Sequence, residues 1–271
     1  SHGKVDVVVE LIGGENGIAL DLVEAALERG KPVVTANKAM LAAHAARLSD
    51  LSFDGGVPLA FEAAVAGGIP VIKTLREGLV GNDIHRLCGI LNGTCNYILT
   101  RMEAAGLSFE EALKEAQEKG FAEADPTLDV SGMDAGQKLA ILSALAYGVA
   151  PDMDNIAVTG IEAVTAADIA FADAFNSVIR LVGLAERSGN GIYHSVEPVL
   201  MKKAHPLAQV VNELNAVSIS AEPLGTVMLQ GPGAGGGATA SAVLADISDI
   251  VSGFGRPLFN GTVAAMTESA S

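Results

Sequence analysis

The sequence predicts an α/β fold in two parts: an incomplete Rossmann-type nucleotide-binding domain, then an α+β domain with a mixed sheet. Three observations carry that prediction. A β–α–β pattern opens the chain, later strand-like and helix-like segments mix without strict alternation, and 49% hydrophobic residues in 271 suffice for real cores. The first part is expected to span 1–61, with 232–271 packing back on it, and the second 62–231.

Val5 to Leu11 is a β-branched run typical of a strand buried on both faces. Gly13-Gly14 breaks it, Ile18 to Leu27 continues with helical spacing to Gly30, and Lys31 to Thr35 reads as the next strand. Ligands in parallel sheets sit outside the carboxyl ends of strands, here Ile12-Gly13-Gly14 and Thr35-Ala36-Asn37-Lys38. No glycine-rich turn precedes Val5, so at least one βαβ unit, on the order of 30 residues, is expected to be missing from the natural N-terminus. Val57 to Glu62, Ile84 to Leu91, Ile192 to Val196 and Val217 to Ser220 read as strands. Ser108 with Glu111 forms a capping-box pattern, Ser131 with Asp134 offers another opening a helix to Tyr147, and Ala166 to Glu186 reads as a third helix. Gly233-Ala-Gly235-Gly-Gly-Ala238 follows the strand-like Val227 to Gln230 but lacks the later strand and acid of a dinucleotide fingerprint. It reads equally as a packing turn or an anion-accommodating turn, with Thr239 capping a helix through Leu244 and Ile247.

The net charge of −15 argues against nucleic acid, which needs basic surface. No apolar run approaches the roughly 18 residues that span a bilayer, and no signal-peptide pattern opens the chain, so a soluble cytoplasmic protein is expected. Cys88 and Cys95 are the only cysteines and read as buried thiols. The five histidines (His2, His44, His85, His194, His205) show no ligand spacing, which makes a transition-metal site unexpected.

Chemistry concentrates in Gly120 to Lys138, GFAEADPTLDVSGMDAGQK. Asp134 and Lys138 are i and i+4, so they share a helix face where a polar start meets an apolar body. By spacing alone this reads as a capped helix with a surface ion pair worth about 0.3–0.5 kcal/mol.

The same stretch closely resembles the homoserine dehydrogenase signature. VDVVVELIGG (5–14), VVTANKAML (33–41), FEAAVAGGIPVI (61–72), GILNGTCNYILTRM (89–102) and GPGAGGGATASAVLADI (231–247) also resemble that family, in order. The resemblance implies NAD(P)H-dependent reduction of L-aspartate 4-semialdehyde to L-homoserine, toward threonine and methionine, by a homodimer whose second domain is catalytic and dimerising. It implies Lys138 as proton donor and acceptor at the substrate oxygen, and Lys38 as a second active-site lysine that also meets the cofactor. Glu123 and Asp134 would bind the substrate with Asp129 in support. Gly120 and Gly235 match cofactor-contacting glycines, and Glu62, Val65, Gly67 and Ile69 match a monovalent-cation (Na+ or K+) site. Two departures from the family are expected: a glycine-rich cofactor turn lacking from the opening, and no C-terminal regulatory domain after Ser271. The alternatives are a dehydrogenase for a related semialdehyde, or a non-catalytic metabolite-binding protein retaining only the substrate pocket. Two lysines at one site favour an enzyme.

Overall fold

The computed structural model describes residues 5–254 except Asn190. Among them, 5–81, 140–153 and 234–254 form one compact unit, and 82–139 with 154–233 form another. The boundary falls at Gly81/Asn82 rather than at 61/62. The reason is local: the Glu62 carboxylate accepts the amides of Ile72 and Lys73, so the segment after residue 61 stays tied to the first unit.

The first unit opens with β1 (Val8–Glu10), α1 (Ile18–Glu28), β2 (Val33–Thr35), α2 (Lys38–Asp54) and β3 (Leu59–Ala60). Its three strands are parallel in the order β1-β2-β3. All of β2 is buried, as a β-branched central strand should be. Among the described residues β1 pairs with β2, and Val9 is 40% exposed. α1 buries Ala19, Val23, Ala26 and Leu27, one helical stripe, and Gly30 follows with φ 63°. After β3 come a 3-10 turn (Glu62–Ala64), α3 (Val71–Lys73) and a π turn (Thr74–Gly78).

The second unit holds β4 (Asp83–Ile90), α4 (Gly93–Ala105), α5 (Phe109–Glu118), α6 (Thr127–Val130) and the start of α7 (Met133–Tyr147). It continues with β5 (Ala157–Val158), α8 (Ala166–Ala174), β6 (Ser177–Ser188), β7 (Gly191–Lys202), β8 (Leu214–Glu222) and β9 (Gly225–Pro232). The six strands form one mixed sheet, β5-β7-β6-β4-β8-β9, in which only β5 and β7 pair in parallel. One face carries Leu87, Ala185 and Ile219 in register, all at 0% exposure. The other carries Tyr193, Glu186, Arg86, Ser220 and Thr226 in one cross-strand row, mostly exposed.

The Ser108–Glu111 capping box is present. Ser131 instead closes α6 as its C-cap. The expected helix from Ala166 to Glu186 is corrected to α8 followed by β6. Asn176, at φ 51°, reverses the chain, and β6 then pairs along both edges with β4 and β7. Long-range pairing there overrides the helical spacing.

The chain returns to the first unit through α9 (Gly236–Val251). Residues 255–271 of the expected returning segment lie outside the described residues. Gly235, at φ 104°, is the N-cap with no side-chain hydrogen bond. Thr239 is therefore not the cap; it sits inside the helix, its amide bonded to the Gly235 carbonyl at 2.9 Å.

Candidate active site

β4 runs directly into Leu91 and Asn92, and Asn92 caps α4 by accepting the Cys95 amide at 2.7 Å. Two features press this junction into place. A Cβ on Gly93 would lie 2.6 Å from the Glu213 carbonyl, so only glycine fits against the turn that leads into β8. One turn on, the Asn96 amide donates to the carbonyls of Val210, Asn212 and Leu214.

Against this junction packs the first turn of α7. Lys138 Nζ donates to the Leu91 carbonyl and to Asp134 Oδ2, each at 2.7 Å. Lys138 and Asp134 are both 8% exposed, so the surface ion pair that spacing alone favours is in fact a buried one. Such a pair gains little net stability, but removing one partner costs about 3–5 kcal/mol, because the remaining charge is stranded. An ammonium has three donors. Among the described residues two are used here, on Leu91 and Asp134.

Asp129, from α6, completes the cluster. Its Oδ1 accepts Asn92 Nδ2 at 2.7 Å, and the same Nδ2 donates to Asp134 Oδ2 at 2.8 Å. The Thr94 hydroxyl lies 2.6 Å from the Phe121 carbonyl and 3.2 Å from Asp129 Oδ2. Burial raises the Asp129 pKa, opposed first by the Asn92 hydrogen bond and reinforced by the Asp134 charge. Burial likewise pushes the Cys95 thiol well up, consistent with an inert packing group whose S–H meets the Asp129 carbonyl at 3.1 Å.

The structure thus brings Asp129, Asp134 and Lys138 together. Glu123 lies on the exposed loop after α5, where its carbonyl accepts the Gln117 amide at 3.1 Å. Gly120 ends α5 with φ 75°. Sequence reasoning missed Asn92, Thr94 and the Leu91 carbonyl. Asn before Gly-Thr is an N-cap signal, and that was the one clue available.

In the first unit, Glu10, fully buried at the end of β1, accepts the amides of Ile12 (2.7 Å) and Gly13 (2.9 Å) and the Thr35 hydroxyl (2.6 Å). Thr35 in turn accepts the Asn37 amide, and the Asn37 side chain donates to the Gly14 carbonyl at 2.7 Å. This ring binds together the two strand ends where a ligand is expected, with half-buried Lys38 as the first residue of α2.

Glu62 starts the 3-10 turn with its carboxylate on the Ile72 and Lys73 amides, while its own amide donates to Asp246 Oδ2 at 2.9 Å. Burial raises Glu62 to about 7 and Asp246 to about 6. Lys73 is already paired with Asp249 at 2.5 Å. Val65 is extended, Ala66 has φ 49°, and the Ile69 carbonyl accepts the Val71 amide at 2.7 Å. Among the described residues no cluster of three or more His, Cys, Asp or Glu could hold a metal ion, so a cation here would rest mainly on carbonyls.

Residues 70–248 match the family model described as homoserine dehydrogenase, and residues 1–62 match that of the homoserine dehydrogenase NAD binding domain. A homoserine dehydrogenase from Pseudomonas aeruginosa is 47% identical over 248 residues, 92% of this chain and 57% of that protein. One from Bacillus subtilis is 46% identical over 243 residues, 90% of this chain and 56% of that protein. The chain therefore spans a little over half the length of these curated relatives. The crystal structure of a homoserine dehydrogenase from Thiobacillus denitrificans superposes with a TM-score of 0.91 at 41% identity, covering 97% of this chain and 63% of that one. The expected order of motifs, the cluster around Lys138 and both family matches converge: the chain belongs to the homoserine dehydrogenase family.

Proposed function

We propose that this chain carries the substrate site and proton-transfer machinery of an NAD(P)H-dependent homoserine dehydrogenase, a cytoplasmic oxidoreductase that reduces L-aspartate 4-semialdehyde to L-homoserine. The observation that carries this reading is the buried Lys138 ammonium, held by Asp134 and the Leu91 carbonyl. Reduction of an aldehyde builds negative charge on its oxygen, and a fixed ammonium stabilises that charge most in the transition state. Lys138 then delivers the proton, and the product leaves as an alcohol. Asp134 and Glu123 are the carboxylates for the substrate ammonium, with Asp129 in support. Lys38 is the second active-site lysine, a candidate for the substrate carboxylate.

The first unit's residues fit a dinucleotide. α1 and α9 both begin on glycines, Gly17 and Gly235, with no side-chain cap, leaving amides for anionic groups. The sheet's carboxyl ends carry the Glu10–Thr35–Asn37 ring. A hyperthermophilic archaeal homoserine dehydrogenase in complex with NADPH resembles this chain with a TM-score of 0.81 at 33% identity. Gly120, Gly235 and Lys38 would meet the cofactor, which when bound supplies the hydride. The hard oxygen donors at Glu62, Val65, Gly67 and Ile69 suit Na+ or K+. The uncovered face of the mixed sheet, around Arg86, Ser218 and Tyr193, is the contact we assign to a homodimer.

The test is NADPH oxidation with L-aspartate 4-semialdehyde. Lys138→Met should lower turnover by about 10² or more while substrate still binds. No turnover by the unaltered protein with either nicotinamide cofactor would sink the assignment, and unchanged turnover in the variant would make Lys138 structural.

A further inference from the structure

We propose that Asn92 is a positioning residue of the substrate site: its amide gives one N–H to each of two neighbouring carboxylates, Asp129 and Asp134, and so keeps both available as anions. This rests on the proposed homoserine dehydrogenase activity. The geometry leaves no freedom in how the amide points. Oδ1 accepts the Cys95 amide at 2.7 Å, and Nδ2 faces Asp129 Oδ1 at 2.7 Å and Asp134 Oδ2 at 2.8 Å. A flipped amide would set a carbonyl oxygen against two carboxylates and an NH2 against an N–H. Asn92 is 4% exposed, so water does not replace these bonds.

The consequence is electrostatic. The two carboxylate oxygens lie no farther apart than the sum of their distances to Nδ2. Two neighbouring acids repel as anions, and burial together with the Asp134 charge pushes Asp129 toward its protonated, neutral form. A neutral double donor satisfies one oxygen of each without supplying a proton. Asp134 Oδ2 thereby takes both Asn92 Nδ2 and Lys138 Nζ. The cluster's charged groups are then two carboxylates and one ammonium, a net −1 that matches an amino acid's ammonium. The Cys95 thiol on α4 also lies in this electrostatic neighbourhood, and the charge of Glu162 reaches it.

Capping and bridging can be separated by one substitution. Asn92→Asp keeps the acceptor for the Cys95 amide, and aspartate caps helices as well as asparagine. It removes both N–H donors and adds a third carboxyl. At pH 8 this variant should bind L-homoserine at least tenfold more weakly than the unaltered chain, measured by calorimetry with NADP+ present. Toward pH 6 a proton taken up among the three carboxyls restores a donor, so its affinity should rise, whereas that of the unaltered chain should hold or fall. Asn92→Ser, which also retains a cap, tests the same point if the first variant fails to fold. It should bind weakly, without the recovery at pH 6. Equal affinity and equal pH dependence in these variants would overturn the bridging role and leave Asn92 a helix cap. No binding by the unaltered chain would overturn the assigned activity and the bridging role together.

Discussion

Replacing Glu62 by glutamine isolates the cost of holding a carboxylate in the first unit. Glu62 is 3% exposed, and burial lifts its pKa from 4.5 to about 7, against the pull of the Ile72 and Lys73 amides. The folded state therefore binds a proton that the unfolded chain releases between these values. The stability tied to that proton is complete below pH 4.5 and is lost as pH rises through about 7. A shift of this size corresponds to roughly 3 kcal/mol across the window. Asp246, raised to about 6, adds a slope of the same sign that both proteins keep. Glu62→Gln abolishes the Glu62 part of the slope and forfeits one backbone acceptor, a pH-independent loss of about 1 kcal/mol. Urea unfolding followed by circular dichroism from pH 5 to 8, in buffer free of Na+ and K+, should show the curves crossing. The variant should be less stable at pH 5 and more stable at pH 8. Adding Na+ or K+ should flatten the curve of the unaltered protein alone if the 62–69 bend takes a cation. Parallel curves would refute the reasoning, because they would mean that Glu62 does not titrate in this range.

Two further outcomes test the frame around the site. Glu10→Ala strands two amides and the Thr35 hydroxyl, and should cost about 3 kcal/mol or more in urea unfolding; an unchanged midpoint would mean that the two strand ends are held by other contacts. Ser218→Arg, half-buried on the uncovered sheet face, should shift the protein toward monomer in sedimentation velocity. A dimer of undiminished stability would place the interface elsewhere.

What the sequence made legible was local. The β1–α1–β2 opening, the Ser108 capping box and the glycine ending α5 depend on residues within a few positions of one another, and they stand where spacing put them. The caps expected at Ser131 and Thr239 fail locally, since Ser131 closes α6 and Thr239 lies inside α9, but the larger failure is non-local. Ser177 to Glu186 reads as the end of a helix from Ala166, yet its conformation is decided by β4, nearly a hundred positions earlier, and by β7. The site divides in the same way. Asp134 and Lys138 share a helix face by simple periodicity, which is enough to pair them and too little to say whether the pair is wet. Their burial comes from the end of β4: Lys138 reaches the Leu91 carbonyl across 47 positions, and Asn92 reaches Asp134 across 42. Only the closed sheet brings that junction against α7. A sequence pattern can therefore nominate the ammonium, but the property that makes it chemically useful, a fixed charge shielded from water, belongs to the fold.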